Sequence, residues 1–457
     1  MAPTIDARAA TAAAAAGEIF RPEVETRPPA EQRDRDRATW RRQIAYLFER
    51  SPFYREKLRA AGFPDAASVG ELDDIARLPF TEKDEIRRSQ AETPPFGAHL
   101  AAGPEKLVRI YSTSGTTGDP CYMPVTAADL AMWIEISSRS YYAGGLRPGM
   151  RVLSTYNAGP FVAGAALDTL TSLGVCHIPV GTGNTARLVR ALQLIRPDAL
   201  LCTPSYASYL AEHLRERGIA ADGLGVRRIC VAGEPGGGEP EIRNRLQSAY
   251  GARVCEAMGI GDVSISLWGE CDAQQGMHFN GGDYVHVELI DPETGEPVTP
   301  TDGATGELVY TALRREAAPL LRFRSRDHVV CHVSPCACGR TTMRVRCIGR
   351  TDDLLIVRGV NVFPSAIRSV VAGFAPAVSG SLLVRPTRKG VRQEPPLPVH
   401  VELAPGETAQ PQLAEAIEQA IRATLIVTAR VTLVPYGTVP RSEYKTKLLD
   451  FSDAAAS

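Results

Sequence analysis

The ten residues from 111 to 120 carry the clearest chemical pattern in the chain. They read Tyr-Ser-Thr-Ser-Gly-Thr-Thr-Gly-Asp-Pro, which places several hydroxyl side chains and two glycines in one short loop. Glycine lets the backbone approach a ligand closely, and successive backbone N–H groups can surround a phosphate. The Walker A spacing and its lysine are absent. An ordinary surface turn has a similar composition, so the loop alone does not decide between the two interpretations.

A second glycine-rich stretch, residues 231–238, follows a short apolar run and reads Val-Ala-Gly-Glu-Pro-Gly-Gly-Gly. Ligands of open α/β sheets bind beyond the carboxyl ends of the strands, so a glycine-rich turn at that place suits a flat nucleotide base. The other interpretation is a tight turn between a strand and a helix, which this stretch by itself favours.

Two charged runs, residues 322–327 and 348–353, combine arginines with carboxylates. A carboxylate can accept hydrogen bonds from both hydroxyls of a ribose, and an arginine can hold a phosphate or carboxylate with two bonds. Salt-bridged strand ends on a protein surface would look the same. Because both runs stand at the ends of predicted elements, we interpret them as parts of one site.

Four metal-ligating side chains form a separate pattern. Cys271 and His278 are followed by a Cys-x-Cys pair, Cys336 and Cys338, in a turn that ends in Gly-Arg. These ligands are sufficient for a closed tetrahedral Zn²⁺ site of structural type. Cys331 and His332 are alternative members of the set, and unliganded core cysteines are the other interpretation. The remaining cysteines are predicted to be small core residues: Cys121, Cys176, Cys202, Cys230, Cys255 and Cys347.

The elements that must position these residues alternate between strand and helix. We predict a helix over 34–61, strands at 152–154, 175–180, 199–203 and 228–232, and helices at 164–173, 185–194 and 205–217. Strand–helix repeats indicate a parallel sheet with right-handed crossovers. Between 284 and 321 the alternation of apolar and polar residues predicts antiparallel strands instead.

The predicted fold class is therefore α/β, with three parts. A loosely ordered tail covers residues 1–33. A large N-terminal domain, 34–350, combines parallel-strand α/β subdomains with a β-rich subdomain. A small mobile α+β C-terminal domain, 351–457, is expected to act as a lid.

Composition narrows the class of partner. The 457 residues carry a net charge of −1 and 44% hydrophobic residues, typical of a globular protein. The charge excludes the basic excess of a nucleic-acid or membrane-surface protein. The alanine-rich first 17 residues include Asp6 and lack a cationic segment before an apolar core, so we predict no signal peptide. Ten scattered cysteines indicate a reducing cytoplasm.

Taken in order, these motifs resemble the adenylate-forming (acyl-CoA synthetase) superfamily, and within it the phenylacetate–CoA ligase branch. The resemblance runs from about residue 34 to 450, nearly the whole chain. Its motifs lie at 112–120, 203–206, 233–235, 306–311, 322–327, 349–364 and 439–445.

The resemblance implies a role for each motif. Ser114, Gly115, Thr116, Thr117 and Gly118 would hold the β- and γ-phosphates of ATP. Gly233, Glu234 and Pro235 would contact adenine, with Met258 and Gly259 also beside the nucleotide. Asp327 would bind the ribose hydroxyls and Arg350 the ribose or a phosphate, while Asp352 would be the hinge of the lid. Lys445, favoured over Lys447, would bridge the substrate carboxylate and the α-phosphate.

Three positions depart from the family pattern. Asp119 replaces a lysine beside the phosphates, and Tyr444 replaces a glycine before Lys445. Asp262 stands where the family has the glutamate that binds magnesium, and its shorter side chain predicts Mg²⁺ ligation through water. These replacements bear on rate and ATP geometry more than on the class of reaction.

The acyl pocket is predicted from family position to include Tyr156, Asn157, Phe161, Ala163, Gly164, Ala257 and Gly259. Aromatic and small side chains suit a flat aryl acid better than a long acyl chain. Asn157 could bind a hydroxyl, amino or nitrogen group of the ring. Ordinary core packing explains Phe161 equally well.

The resemblance implies AMP-forming activation of an aromatic carboxylic acid, followed by thioester formation with coenzyme A. One alternative passes the aryl group to a carrier protein or an amine. Another is a non-catalytic nucleotide-binding relative, which Asp119, Asp262 and Tyr444 favour and the intact Arg350, Asp327 and Lys445 oppose. A homodimer is expected because dimers are common among such enzymes.

Overall fold

The computed structural model describes residues 19–113, 120–156, 164–181, 183–441, 447–452 and 454. The first part of the described chain is helical and contains α1 Pro22–Glu25, α2 Pro29–Arg50, α3 Pro52–Ala60 and α4 Lys83–Glu92. They bury Trp40, Tyr54 and Leu58 against the body of the protein. Within the described residues, no helix is both long and apolar enough to cross a lipid bilayer.

A two-stranded hairpin and a large mixed sheet follow. In chain order the elements are β1 Leu107–Ser112, β2 Tyr122–Thr126, α5 Ala127–Ala143, β3 Arg151–Ser154, α6 Ala165–Ser172, β4 Cys176–Pro179, α7 Thr185–Ile195, β5 Ala199–Cys202, α8 Pro204–Glu216, β6 Arg228–Ala232, α9 Pro240–Tyr250, β7 Arg253–Ile260, β8 Ser264–Glu270, β9 Met277–Phe279, β10 Val285–Ile290, β11 Thr305–Ala312, β12 Phe323–His332 and β13 Arg344–Arg350.

The large sheet has the strand order β10-β11-β12-β13-β9-β8-β7-β6-β5-β3-β4. The four pairings from β4 through β3, β5 and β6 to β7 are parallel, and every pairing from β7 to β10 is antiparallel. The parallel half consists of short apolar strands covered by helices, as β5, Ala-Leu-Leu-Cys, illustrates by being wholly buried. The predicted change from parallel to antiparallel pairing is therefore present in one continuous sheet.

The C-terminal part has its own hydrophobic core. Its elements are β14 Leu355–Val357, β15 Val360–Val362, α10 Pro364–Ala372, β16 Val378–Val384, β17 Arg392–Gln393, β18 Leu397–Leu403, α11 Pro411–Leu425 and β19 Ala429–Val434. They form two three-stranded sheets, β15-β14-β17 and β16-β18-β19. The fold class, including a small α+β C-terminal part, agrees with the prediction from sequence.

Three details of the sequence prediction differ from the structure. The expected single helix over 34–61 breaks at Ser51, because a residue before proline avoids helical backbone and Ser51 adopts an extended conformation. The expected tail is too long, since residues 22–33 include helical segments and Glu25 and Arg27 are buried. Cys176, expected in the core, is exposed because β4 is the last strand of the sheet.

Candidate functional site

The hairpin β1–β2 carries the predicted phosphate loop between its strands. The strands pair from Leu107 opposite Thr126 to Ser112 opposite Tyr122, and Thr113 N donates to Cys121 O at 2.9 Å. The predicted phosphate-binding residues all lie outside the described residues: Ser114, Gly115, Thr116, Thr117, Gly118 and the variant Asp119. The structure therefore fixes the two ends of the loop and leaves its role as a prediction.

The predicted adenine turn follows β6, at the carboxyl end of a parallel strand. Glu234 Oε1 accepts a hydrogen bond from the backbone N–H of Ser205, in the first turn of α8, at 2.8 Å. This bond joins the 233–235 motif to the 203–206 motif. The order of these motifs along the chain was evident from the sequence, but their contact in space was not. Gly236 has φ +141°, a conformation that favours glycine.

The glycines of this turn also pack against a buried carboxyl. A Cβ on Gly238 would stand 2.6 Å from Glu256 Oε2, and one on Gly237 would overlap with Val231. Burial, and next the neighbouring Glu270, raise the pKa of Glu256 to about 7. Sequence reasoning missed Glu256, because a carboxyl inside an apolar strand carries no motif.

Asp327, Arg350 and Asp352 form a chain of charges at the joint between the two parts of the molecule. Asp327 and Arg350 are opposite each other on β12 and β13, and Arg350 Nη1 donates to Asp327 Oδ1 at 2.6 Å. Arg350 Nη2 donates to Asp352 Oδ2 at 3.2 Å. The pKa of Arg350 is raised, mainly by the negative charge of Asp327. The structure thus brings the predicted ribose carboxylate, cation and hinge residue together.

Asp262 lies in the turn between β7 and β8 and is almost fully buried. Its Oδ2 accepts from Lys83 Nζ at 3.0 Å, and its backbone oxygen accepts from Arg315 Nη1. Its Oδ1 is buried and has no partner among the described residues. An unpaired carboxylate oxygen next to the phosphate hairpin fits a direct or water-mediated ligand of Mg²⁺.

Lys83 and Arg315 are site residues that sequence reasoning missed. Arg315 is 1% exposed, and burial lowers the pKa of its guanidinium. The guanidinium lies over the Trp133 ring, 5.1 Å from the ring centre. Lys83 begins α4, 179 residues before Asp262 in the chain. No spacing in the sequence distinguishes either one from the other basic residues.

The hairpin β7–β8 explains Gly259 without a ligand. A Cβ at this position would overlap with the Ile265 carbonyl and stand 2.6 Å from Ser264 O. Met258, its neighbour, is half-buried and pairs with Trp268. The roles of Met258 and Gly259 beside the nucleotide or the acyl group stay predictions.

Two predicted acyl-pocket residues, Tyr156 and Ala257, share a cluster of buried side chains. The cluster also includes Tyr141, whose hydroxyl accepts from Ser266 Oγ at 3.3 Å. Gly164 is the residue before α6. The predicted Asn157, Phe161 and Ala163 lie outside the described residues, as do Lys445 and Tyr444.

Cys271, His278, Cys336 and Cys338 converge in space. Their ligand atoms all lie within 4.8 Å of one another. Cys271 Sγ and Cys336 Sγ are 3.7 Å apart, and Cys338 Sγ is 3.3 Å from His278 Nε2. Sulfurs bound tetrahedrally to zinc are about 3.8 Å apart, since Zn–S is about 2.3 Å. The cluster therefore fits a closed zinc site, and the alternative members Cys331 and His332 are not part of it.

The cluster is linked to the N-terminal segment. Arg340 Nε, two residues after Cys338, donates to Glu25 Oε2 at 2.6 Å, and both side chains are 2% exposed. Thr341 Oγ1 donates to Arg27 O at 2.6 Å, and Thr341 N donates to Glu25 O at 3.1 Å. Residues 19–28 thus rest on the turn that bears two of the cysteines.

Comparison with known proteins agrees with this geometry. The AMP-binding enzyme family matches residues 49–312, and the AMP-binding enzyme C-terminal domain matches residues 359–450. A phenylacetate-coenzyme A ligase of Thermus thermophilus is 36% identical over 93% of this chain and 97% of its own length. This chain belongs to the AMP-binding enzyme family. A phenylacetate-coenzyme A ligase of Escherichia coli is 32% identical over 88% of this chain and 90% of its own length. Within the adenylate-forming enzymes the chain therefore lies in the phenylacetate–CoA ligase-like branch.

Solved structures of related AMP-binding enzymes add information on how the two parts of the chain are arranged. A 2-hydroxyisobutyryl-CoA ligase in its post-adenylation state superposes with a TM-score of 0.87, at 28% identity, over 99% of this chain and 94% of that one. The same enzyme in its thioesterification state gives 0.69, at 30% identity, over 94% and 91%. The arrangement of the two parts in this chain therefore resembles the post-adenylation state.

Proposed function

We propose that this AMP-binding enzyme is an acid–thiol ligase that activates an aromatic carboxylic acid with ATP and transfers it to coenzyme A. The observation that carries the proposal is the Asp327–Arg350–Asp352 chain at the joint between the two family-matched regions. A carboxylate for ribose, a cation and an exposed hinge residue there are what an adenylating enzyme with a rotating lid needs.

In the first step, the turn 233–235 would hold adenine, while Asp327 would accept hydrogen bonds from the ribose hydroxyls. The substrate carboxylate attacks the α-phosphorus, the bond to the β,γ-diphosphate breaks, and pyrophosphate leaves. Attack of one anion on another requires positive charge at the site. Lys445 would supply it at the α-phosphate, and Lys83 is placed to supply it beside Asp262.

Asp262 Oδ1 would hold Mg²⁺, directly or through water, and the ion would neutralise charge on the phosphates. Lys83 and Arg315 would keep this carboxylate and its turn in place, because one contacts the side chain and the other the backbone oxygen.

In the second step, the lid would rotate about Asp352 and withdraw Lys445. The tight hairpin between β14 and β15, with Gly359 at φ +81°, would then face the thiol of coenzyme A. Thiolate attack on the acyl carbon forms the thioester and releases AMP. We accordingly propose residues 34–350 as the ATP and acyl domain and 351–457 as the lid.

The proposed substrate is a flat aryl acid. Tyr156 and Ala257 pack with Tyr141 in one buried cluster, which supplies aromatic and small surfaces. The curated relatives are named phenylacetate-coenzyme A ligases, so phenylacetate is the first acid to try.

We also propose that Cys271, His278, Cys336 and Cys338 hold a structural zinc ion. A closed four-ligand set leaves no open position for substrate, so the ion would supply stability only. A carrier protein as acceptor, a homodimer and a cytoplasmic location stay predictions from the sequence.

The test is a mass spectrum of products from the full chain with ATP, Mg²⁺, coenzyme A and phenylacetic, benzoic, hydroxybenzoic, aminobenzoic and picolinic acids. One dominant aryl-CoA mass is expected, and Lys445→Ala should abolish it. AMP and acyl-adenylate without a thioester would favour a carrier protein or an amine as acceptor. Absence of AMP with every acid, with Lys445→Ala no different from the parent, would contradict the proposal.

A further inference from the structure

A polar contact crosses from the N-terminal body to the lid, away from the nucleotide residues. The hydroxyl of Tyr436, on the loop after β19, lies 3.1 Å from Glu212 Oε2 and 3.2 Å from Glu216 Oε1. Both carboxylates are on the last turns of α8. Arg441 Nη2 is 3.6 Å from Glu212 Oε2, and its guanidinium lies 5.3 Å from the Tyr436 ring.

Arg441 is fixed inside the lid as well. Its Nη2 donates to Glu402 Oε1 at 2.6 Å, and its Nη1 donates to Ser381 Oγ at 2.9 Å. Glu402 is fully buried on β18, and its other oxygen accepts from the backbone N–H of Val439 at 2.9 Å. The loop 435–441 is therefore a rigid part of the lid, and Lys445 follows it by four residues.

The contact is partly shielded from water. The side chain of Glu212 is 18% exposed and that of Arg441 26%. Burial raises the pKa of Glu212, and the charge of Arg441 opposes this rise. A hydrogen bond and an ion pair at such a site contribute more than they would on an open surface.

The contact belongs to one orientation of the lid. It joins α8 to the loop 435–441 across the two parts of the chain, in an arrangement that resembles the post-adenylation state of a related ligase much more than its thioesterification state. A rotation about Asp352 would move Tyr436 and Arg441 away from Glu212.

We propose that Glu212, Glu216, Tyr436 and Arg441 form a latch that holds the lid in this post-adenylation orientation and that opens before the thioester forms. The inference rests on the proposed two-step function. These are positioning residues: none of them is among the residues proposed to bind ATP or the acid. Loss of the latch should speed the second half-reaction and should not slow the first.

The first experiment measures lid attachment in the full-length chain without any substrate. Amide hydrogen exchange is compared for wild type, Tyr436→Phe, Glu212→Gln and the double variant. Peptides covering 435–441 and the last turns of α8 should exchange at least threefold faster in each variant. Equal exchange in all four proteins would overturn the proposal.

The second experiment separates the half-reactions, with phenylacetate as the probe acid. Conversion of synthetic phenylacetyl-adenylate and coenzyme A to the thioester should rise, by up to about fivefold in each single variant, because one hydrogen bond or partly buried ion pair no longer has to break before the lid rotates. ATP–pyrophosphate exchange should not fall. An unchanged or slower conversion to the thioester would overturn the latch. If wild type does not use phenylacetate, that result bears on the proposed acid, and the exchange experiment decides on the latch.

Matched controls carry the same chemical changes elsewhere. Glu415→Gln alters an exposed glutamate of the lid on α11, and Tyr209→Phe alters a tyrosine of α8 that has no hydrogen bond to the lid among the described residues. Both should match wild type in exchange and in both half-reactions. In the double variant the gain should be smaller than the product of the single gains, because both residues act through one contact.

Discussion

The buried carboxyl of Glu256 makes the stability of the fold depend on pH. It lies under the glycine turn 236–238, and two glycines there leave room for its side chain. Its neighbour Glu270 is paired with Arg243 at 2.6 Å, whereas the charge of Glu256 is opposed by burial and by Glu270. With a pKa near 7, Glu256 is about half protonated at neutral pH.

Replacement of Glu256 by glutamine should stabilise the protein more at pH 8 than at pH 5. The pKa is about 7 in the folded chain and 4.5 ordinarily. The folded state therefore binds more protons between these values, and its stability falls as pH rises through that window. Glutamine removes this dependence, so the gain in unfolding free energy should be about 2 kcal/mol larger at pH 8. Urea unfolding at both pH values measures it.

Glu293→Gln is the control, because Glu293 is exposed on a turn. It should show no difference between the two pH values. An equal shift in both variants would mean that Glu256 is charged in the folded state at pH 5.

Sequence patterns anticipated some site residues and not others, for a physical reason. Arg350 ends β13 and Asp327 is opposite it on β12, so motif position was enough. Lys83 meets Asp262 across 179 residues of chain, and Tyr141 meets Ser266 across 125. Such contacts depend on how distant elements pack, which local spacing does not encode.

At the scale of elements, the two strands of the β7–β8 hairpin approach each other closely at Gly259. Register shifts between Met258 and Ile260, and Gly259 faces the backbone oxygens of Ser264 and Ile265. The same hairpin carries Asp262 in its turn and Ala257 in the buried cluster. Small errors in its geometry would therefore affect both the predicted metal position and the acyl pocket.

Gly259→Ala should destabilise the protein by roughly 3 kcal/mol, because the new Cβ overlaps with backbone that cannot move aside. Thermal or urea unfolding measures the effect. Gly223→Ala is the matched control, since its nearest neighbour would be Ala220 Cβ at 4.0 Å. Similar stability of the two variants would show that the hairpin can relax.

Most strands and helices follow from local pattern. The strand Arg228–Ala232 has the predicted bounds, and the helix Thr185–Ile195 differs from its prediction by one residue. Ser51 was missed as a break because the apolar pattern continues across it. The strand order could not be predicted from the sequence, because it depends on which faces and edges of the elements pack together.

At the scale of the whole molecule, the cysteine cluster joins distant parts of the chain. Its ligands come from residues 271–278 and 336–338, and the turn after them holds residues 19–28 through Glu25 and Arg27. An alanine-rich beginning suggested a loose tail over 1–33. The buried Glu25–Arg340 pair, 315 residues apart in sequence, overrides that composition.

Removal of the proposed zinc ion should loosen this junction. The purified chain is expected to contain one zinc ion, and a chelator or Cys338→Ser should lower the melting temperature by about 5 °C. A protease that cleaves after glutamate should then cut after Glu23 or Glu25 much faster than in the untreated protein. Elemental analysis, thermal unfolding and mass mapping of the fragments measure these effects.

Cys176→Ser is the control for the loss of one thiol, because Cys176 is exposed and outside the cluster. It should retain the proposed zinc ion and its resistance to the glutamate-specific protease. Metal-free protein with unchanged melting and cleavage would show that the four side chains are stable without an ion.

The rigid hairpin also determines where the range of acids can be redesigned. Mutant libraries that enlarge residues on β7 would lose folded protein at Gly259 before they explored new substrates. Ala166, in the first turn of α6, is buried in the same cluster as Tyr156 and Ala257 and offers a side-chain position for change. Directed evolution toward bulkier or smaller acids should therefore begin at that helix and keep the hairpin constant.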